Sequence, residues 1–172
     1  RLEHSCHLAD TLPSPVPLLR GGFVSGVTPR TSLARVLWTS GYADQARQRS
    51  QEALTLARQG DHLPTLAYAA YFVGLVCQCR RDVAATQAHA DTLFAMAAEH
   101  RLPLRVEQGR LLRGWALAMQ GEAAAGVAHL RQALASPDVG PESLRPYWFA
   151  TLAEASGWAG QPAAGLQVLA EA

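Results

Sequence analysis

The sequence predicts an all-α fold, a solenoid of antiparallel helical hairpins, and three observations predict it. Four segments repeat along the chain: "WTSGYADQARQRSQEAL", "CQCRRDVAATQAHADTL", "AMQGEAAAGVAHLRQAL" and "GWAGQPAAGLQVLAEA". Their turn residues Gly41, Arg81, Gly121 and Gly160 lie 40, 40 and 39 positions apart, a spacing at which internal repeats mean stacked units. Small residues recur at fixed offsets from each turn: Ala34, Gly74, Gly114 and Ala153 seven before it, then Ala46, Thr86, Gly126 and Gly165 five after it. No segment competes with the alternating pattern of a strand.

The small residues explain the hairpin. Two helices cross at about 8–10 Å when ordinary side chains meet, and Gly or Ala at the crossing lets them come closer. A third set, Ala53, Leu93, Ala133 and Ala172, falls twelve after each turn. Larger residues beside these, Leu37, Leu56, Phe72, Leu117, Leu130, Leu152 and Leu169, are then free to fill the space between successive hairpins.

Start and stop signals give the elements in order. The expected helices are 1–10, 29–40, 43–59, 63–79, 82–99, 103–119, 122–135, 142–158 and 161–172. Pro64 and Pro103 suit a first helical turn, where a missing N–H costs nothing, and Asp61 or His62 can cap the former. The loop "ASPDVGPES" places Pro141 near the first turn of the next helix, and Pro146 follows within that helix, so it starts late or kinks. Residues 11–28, with three prolines and three glycines, form one long loop. The domain reading is therefore a preceding helix plus loop over 1–28, then hairpins at 29–59, 63–99, 103–135 and 142–172.

Composition narrows the function. With a net charge of +1 and 17% charged residues, nothing favours nucleic acid or an anionic membrane. All basic residues are arginine, which reads as coding bias rather than phosphate recognition. No apolar run reaches the roughly 18–20 residues that span a bilayer. Three cysteines cannot form a disulfide framework and suit a cytoplasmic location. The chain opens on "RLEHSCHLAD" and closes on "GLQVLAEA", both inside a helical pattern, so the sequence reads as a stretch of a longer protein. Leu166 and Leu169 without a following hairpin predict self-association through that end.

Chemical motifs are weak. Cys77 and Cys79 point about 200° apart on a helix, so one ion cannot easily take both. Glu3 and His7 share a face beside His4 and Cys6, but no second cluster completes four ligands. No nucleophile elbow, zinc-protease signature or phosphate loop occurs. "RGGFVSG" reads as a loop, Glu99–His100 as a solvated helix end. The expectation is no catalytic residue, no metal and no cofactor.

The repeat resembles the tetratricopeptide family, whose hairpin carries small residues at its eighth, twentieth and twenty-seventh positions. Eleven of the twelve framing residues above are Gly, Ala or Thr at those places. Departures exist: Arg30, Ala70, Arg110 and Phe149 occupy the early aromatic position, and Arg58, Ala98 and Asp138 replace the closing proline. The period also exceeds the family's usual length of about 34 residues. "GYADQARQRSQEALTLAR", "RRDVAATQAHADTL", "LRGWALAMQGEAAAGVAHLRQAL" and "RPYWFATLAEASGWAGQPAAGLQVLAEA" look particularly like the C-terminal repeats of bacterial signalling ATPases linked to class III cyclases.

The resemblance implies a right-handed solenoid whose first helices line a concave groove. It places Arg35 and Trp38 on that groove from the first unit, Tyr68, Tyr71 and Gln78 from the second, Gln108, Trp115 and Met119 from the third, and Tyr147, Glu154 and Trp158 from the fourth. Two readings stand: the aromatics close a tight superhelix or pack on neighbouring modules, or they anchor a peptide or partner helix. Arg35 and Arg110 at the edge could pair with a carboxylate. The implied function is a non-enzymatic protein-interaction and regulatory segment, with other domains of the same parent chain among its partners. The alternative is a sensor that binds a small ligand or signal peptide in the groove.

Overall fold

A computed structural model describes residues 2–11, 26–140 and 144–170. Among them are nine helices: α1 (Leu2–Thr11), α2 (Val27–Thr39), α3 (Ala43–Gln59), α4 (Leu63–Cys79), α5 (Val83–Glu99), α6 (Pro103–Met119), α7 (Ala123–Ala135), α8 (Arg145–Trp158) and α9 (Pro162–Ala170). The long loop expected before α2, Pro141 and Ala172 fall outside the described residues over most or all of their length. The chain divides into two compact units, Arg1–Arg80 and Arg81–Ala172.

Four consecutive helices, α3 to α6, are each 17 residues long. A three-residue link separates each from the next, so helices begin at 43, 63, 83, 103 and 123. The middle residue of each link has a left-handed backbone: Gly41, Asp61, Arg81, Arg101 and Gly121 all have positive φ. The turn that the sequence shows every 40 residues is thus made every 20. Only the first and last of these five turns carry glycine, and this hides the shorter step.

Four of the turns close in one way. After α2, Gly41 N–H donates to Trp38 O at 3.0 Å and Tyr42 N–H to Leu37 O at 2.8 Å. The same pair follows α6, from Gly121 to Ala118 and from Glu122 to Leu117, and α8, from Gly160 to Gly157 and from Gln161 to Ser156. Arg101 and Leu102 repeat it after α5. Crossing bonds of this kind satisfy last-turn carbonyls and need a left-handed residue at the bend.

Helix starts follow the signals in part. His62 caps α4, its Nδ1 accepting from Thr65 N–H at 3.3 Å, while Asp61 is the left-handed turn residue before it. Asp82 caps α5 by accepting from Ala85 N–H at 3.1 Å. Pro103 opens α6, and Pro146 sits in the first turn of α8, which starts at Arg145 rather than 142. α7 stops after 13 residues. The loop behind it folds back, burying Val139 and bringing Gly140 against Leu104 and Gln108.

In the first unit α2 packs on α1, α3 and α4, and α3 on α4. Ala34 and Ala46 meet at the α2–α3 crossing with Val76 of α4, and Leu37 and Trp38 lie against them. In the second unit each helix packs on the next, and α8 also touches α6. Gly114 and Gly126 meet across α6–α7, and Ala153 and Gly165 across α8–α9. Gly109 adds a close approach that the repeat pattern misses: a Cβ there would stand 3.2 Å from Phe94 of α5. Of the larger residues expected between hairpins, Phe72, Leu130 and Leu152 are buried, Leu37, Leu56 and Leu117 half-buried, and Leu169 exposed.

Candidate interaction surfaces

The first-helix face of the first unit comes from α2 and α4. Tyr68 packs on Phe72 with ring centroids 4.7 Å apart, and its hydroxyl lies 3.4 Å from Thr31 Oγ1 on α2. Arg35 is exposed and rests over Phe72, its guanidinium carbon 5.7 Å from the ring centre. Trp38 is half-buried. Tyr71 and Gln78, expected on the same groove, are buried. Gln78 Oε1 has no hydrogen-bond partner among the described residues.

The equivalent face of the second unit is built by α6 and α8. Gln108 is buried and accepts from Arg105 Nη1. Trp115 is 3% exposed. Four of the eleven expected groove residues, Tyr71, Gln78, Gln108 and Trp115, therefore lie inside the fold and present no open surface. In the second unit α6 is packed on α5, α7 and α8, and Gly140 of the loop after α7 lies against Gln108, which leaves these positions no open face.

The remaining members form a ledge. Tyr147 (36% exposed) and Trp158 (42%) stand at the two ends of α8, with Met119 and Glu154 partly exposed. Tyr147 packs edge-on against Trp148. Arg81 reaches across, its Nη2 donating to Glu154 Oε1 and its Nη1 lying 3.5 Å from Met119 Sδ. That pairing was not legible in advance, because 73 residues separate the partners. Its one signal is an arginine at a turn where the other repeats have glycine.

Arg110 is committed within its own unit. Its Nε donates to Glu107 Oε2 at 3.1 Å and its guanidinium lies over the Phe94 ring. A carboxylate ligand would compete with Glu107 for it. Nearby, Arg113 pairs with Asp91 of α5 at 3.5 Å. His129 on α7 lies between these charges, and partial burial, then Arg113 and Arg110, hold its pKa below the ordinary value.

The outer face of α3 is polar and bounds an open groove of about 840 Å³ together with Arg30 of α2. Glu52 is its hub, accepting from Gln48 Nε2 at 3.0 Å and Arg49 Nη1 at 2.9 Å, with Arg30 Nε 4.0 Å away. The hydrogen bond from Arg49 to Glu52 is the main reason the Arg49 pKa is raised. Opposite charges neutralise one another there, so the groove carries no strong field for a charged ligand.

Cys77 is buried and Cys79 partly buried on α4. Among the described residues no three His, Cys, Asp or Glu side chains are placed to hold a metal ion. No described helix is long and apolar enough to cross a membrane.

No protein-family model matches the sequence, and no curated protein matches it at a significant level. Solved structures do. The chain is similar to a crystal structure of nearly identical TPR-like repeats from Podosopora anserina, provisionally assigned to a kinesin light chain, with a TM-score of 0.62 and 19% identity over 98% of this chain and 80% of that one. A single-substitution variant of the same repeats gives a TM-score of 0.64 at 18% identity, covering 99% and 81%. The fold is that of tetratricopeptide-like repeats. At this identity the likeness speaks for the fold alone.

Proposed function

We propose that this chain is a non-enzymatic protein-interaction segment that regulates a larger bacterial signalling ATPase, one linked to a cyclase. The observation that carries the reading is the set of aromatic and cationic side chains left accessible on first helices: Arg35, Trp38 and Tyr68 in one unit, Tyr147 and Trp158 in the other. Aromatic and arginine side chains dominate the energetics of protein interfaces, and Arg35, Trp38, Tyr68 and Tyr147 are held by intramolecular packing before any partner arrives. Pre-organisation of that kind lowers the entropy cost of binding. The class of parent protein is supported by the resemblance of the repeats alone. A sensor for a small ligand is supported less well, because the residues that would form the floor of its site, Tyr71, Gln78, Gln108 and Trp115, are filled positions of the fold.

The test uses the full-length parent protein. Replacing Trp38 and Tyr68 by Ala together should uncouple the ATPase rate from the repeat segment, while circular dichroism of the segment keeps its helix content. An ATPase rate that responds as before, with the double variant folded, would overturn the reading.

A further inference from the structure

Where the repeat places its turns, three carry glycine, at Gly41, Gly121 and Gly160, and the fourth carries Arg81. All four have positive φ, and at Arg81 it is +59°, a backbone that strains any residue with a Cβ and suits glycine. A glycine there would make the turn with less strain, so the turn itself does not call for arginine. What the side chain adds is reach. Arg81 opens the second unit, two residues before α5 begins. Its guanidinium lies against Met119, the last residue of α6, and donates to Glu154, four residues before the end of α8. Helices α5 and α8 do not pack on one another. The ion pair therefore ties together two elements that backbone packing leaves unconnected.

In stacked helical repeats each unit touches its neighbours, and small rotations at successive steps add up along the stack. The steps from α5 to α6 and from α6 to α8 are two such rotations, each set by its own interface. A bond from Arg81 to Glu154 spans both and fixes their sum. We infer that the Arg81–Glu154 pair is a releasable strap: it fixes α8 relative to the start of α5, and ions that compete for either partner let the unit open at the ends of α6 and α8. Two features suit the pair to release. Both side chains are partly exposed, Arg81 at 56% and Glu154 at 34%, so water and ions reach them. An exposed pair also shifts a two-state equilibrium by only about 1.4- to 5-fold, which is small enough for screening to reverse. The strap acts on the shape of the unit whether or not a partner uses its first-helix face.

The experiment uses this chain with nitroxide labels on ketone-bearing residues in place of Ala88 on α5 and Ala163 on α9, both exposed, so the cysteines stay untouched. Double electron–electron resonance reads the distance between the labels. At low salt the parent should give one narrow distribution. At about 1 M salt, where the screening length falls to about 3 Å, the distribution should broaden towards longer distances. Glu154→Gln should show the longer distances already at low salt and respond no further. Arg81→Gly should do the same while keeping or raising the melting point, because it also relieves the turn; this separates loss of the strap from loss of the fold. Exchanging the charges, Arg81→Glu with Glu154→Arg, keeps the combined length of the two side chains and should restore the short distance. Equal distributions in the parent and Glu154→Gln, or a parent that ignores salt, would overturn the inference. So would long distances in Arg81→Gly alone, which would make the turn rather than the ion pair the cause, or an exchanged pair that stays open.

Discussion

Gly126 on α7 lies so close to Gly114 on α6 that a Cβ built on it would stand 2.5 Å from the Gly114 carbonyl oxygen and 2.8 Å from the Ala118 Cβ. The reverse is nearly as tight, with a Gly114 Cβ 2.9 Å from Gly126 O. Backbone cannot yield to a side chain as the tip of a flexible residue can. Gly126→Leu should therefore push α6 and α7 apart and cost roughly 1–3 kcal/mol or more by overpacking. Thermal denaturation followed by circular dichroism reads the shift. An unchanged midpoint would mean that the helices do not cross there.

A different glycine cost applies at the turns. Gly121 has a φ of +95° and nothing within 4 Å of a built Cβ, so Gly121→Ala meets backbone strain only. The expected loss is about 1–2 kcal/mol. Arg101 has the converse problem, a side chain on a residue at φ +54°. Arg101→Gly should relieve strain and leave stability equal or higher despite the extra freedom it gives the unfolded chain. Opposite signs for these two variants, in urea titrations at equal denaturant slope, are the expected result.

Much of this was legible in the sequence, and the turns show why some was not. The 40-residue recurrence of small residues is a covalent pattern, and the Gly114–Gly126 and Ala153–Gly165 contacts follow from it. The 20-residue step was hidden because Asp61, Arg81 and Arg101 do the work that glycine does elsewhere. Trp115 was legible as a residue of the first-helix face, with packing and partner binding both open. Periodicity says which residues share a helix face, and only the distance between α6 and α8 says whether that face is open. Arg81–Glu154 and Gly109–Phe94 depend on which helices become neighbours, and no local signal carries that.

Acid should weaken the second unit through His129. Its Nδ1 is buried without a hydrogen-bond partner among the described residues. Partial burial, followed by the charges of Arg113 and Arg110, lowers its pKa; Asp91 and Glu107 partly offset those arginines by pairing with them. A histidine with a depressed folded pKa binds more protons when unfolded, so its contribution is complete above the unfolded value of about 6.5 and is lost as pH falls below it. Urea midpoints should therefore drop between pH 7.5 and 5.5, and His129→Gln should flatten that slope. Equal slopes in both proteins would exclude His129 as the cause.

The strongest stability effect expected of a single side chain is at Trp115. It is the thirteenth residue of α6, on the face where the aromatics either pack or bind a partner, and only 3% of it is accessible. Around it on the same helix Leu111, Leu112 and Ala116 are buried as well, so truncation leaves a void bounded by apolar walls. Filling such a void by relaxation would require α6 and α8 to approach, and the packed first turn of α8, held by Trp148, resists that. Trp115→Ala should thus cost roughly 3–5 kcal/mol and lower the melting point sharply. The exposed Trp158, at 42%, is the control: Trp158→Ala removes the same atoms from a surface position and should change stability by no more than about 0.5 kcal/mol. Near-equal losses for the two tryptophans would mean that the α6–α8 contact is not closed in solution, and the first-helix face of this unit would then be open as a groove.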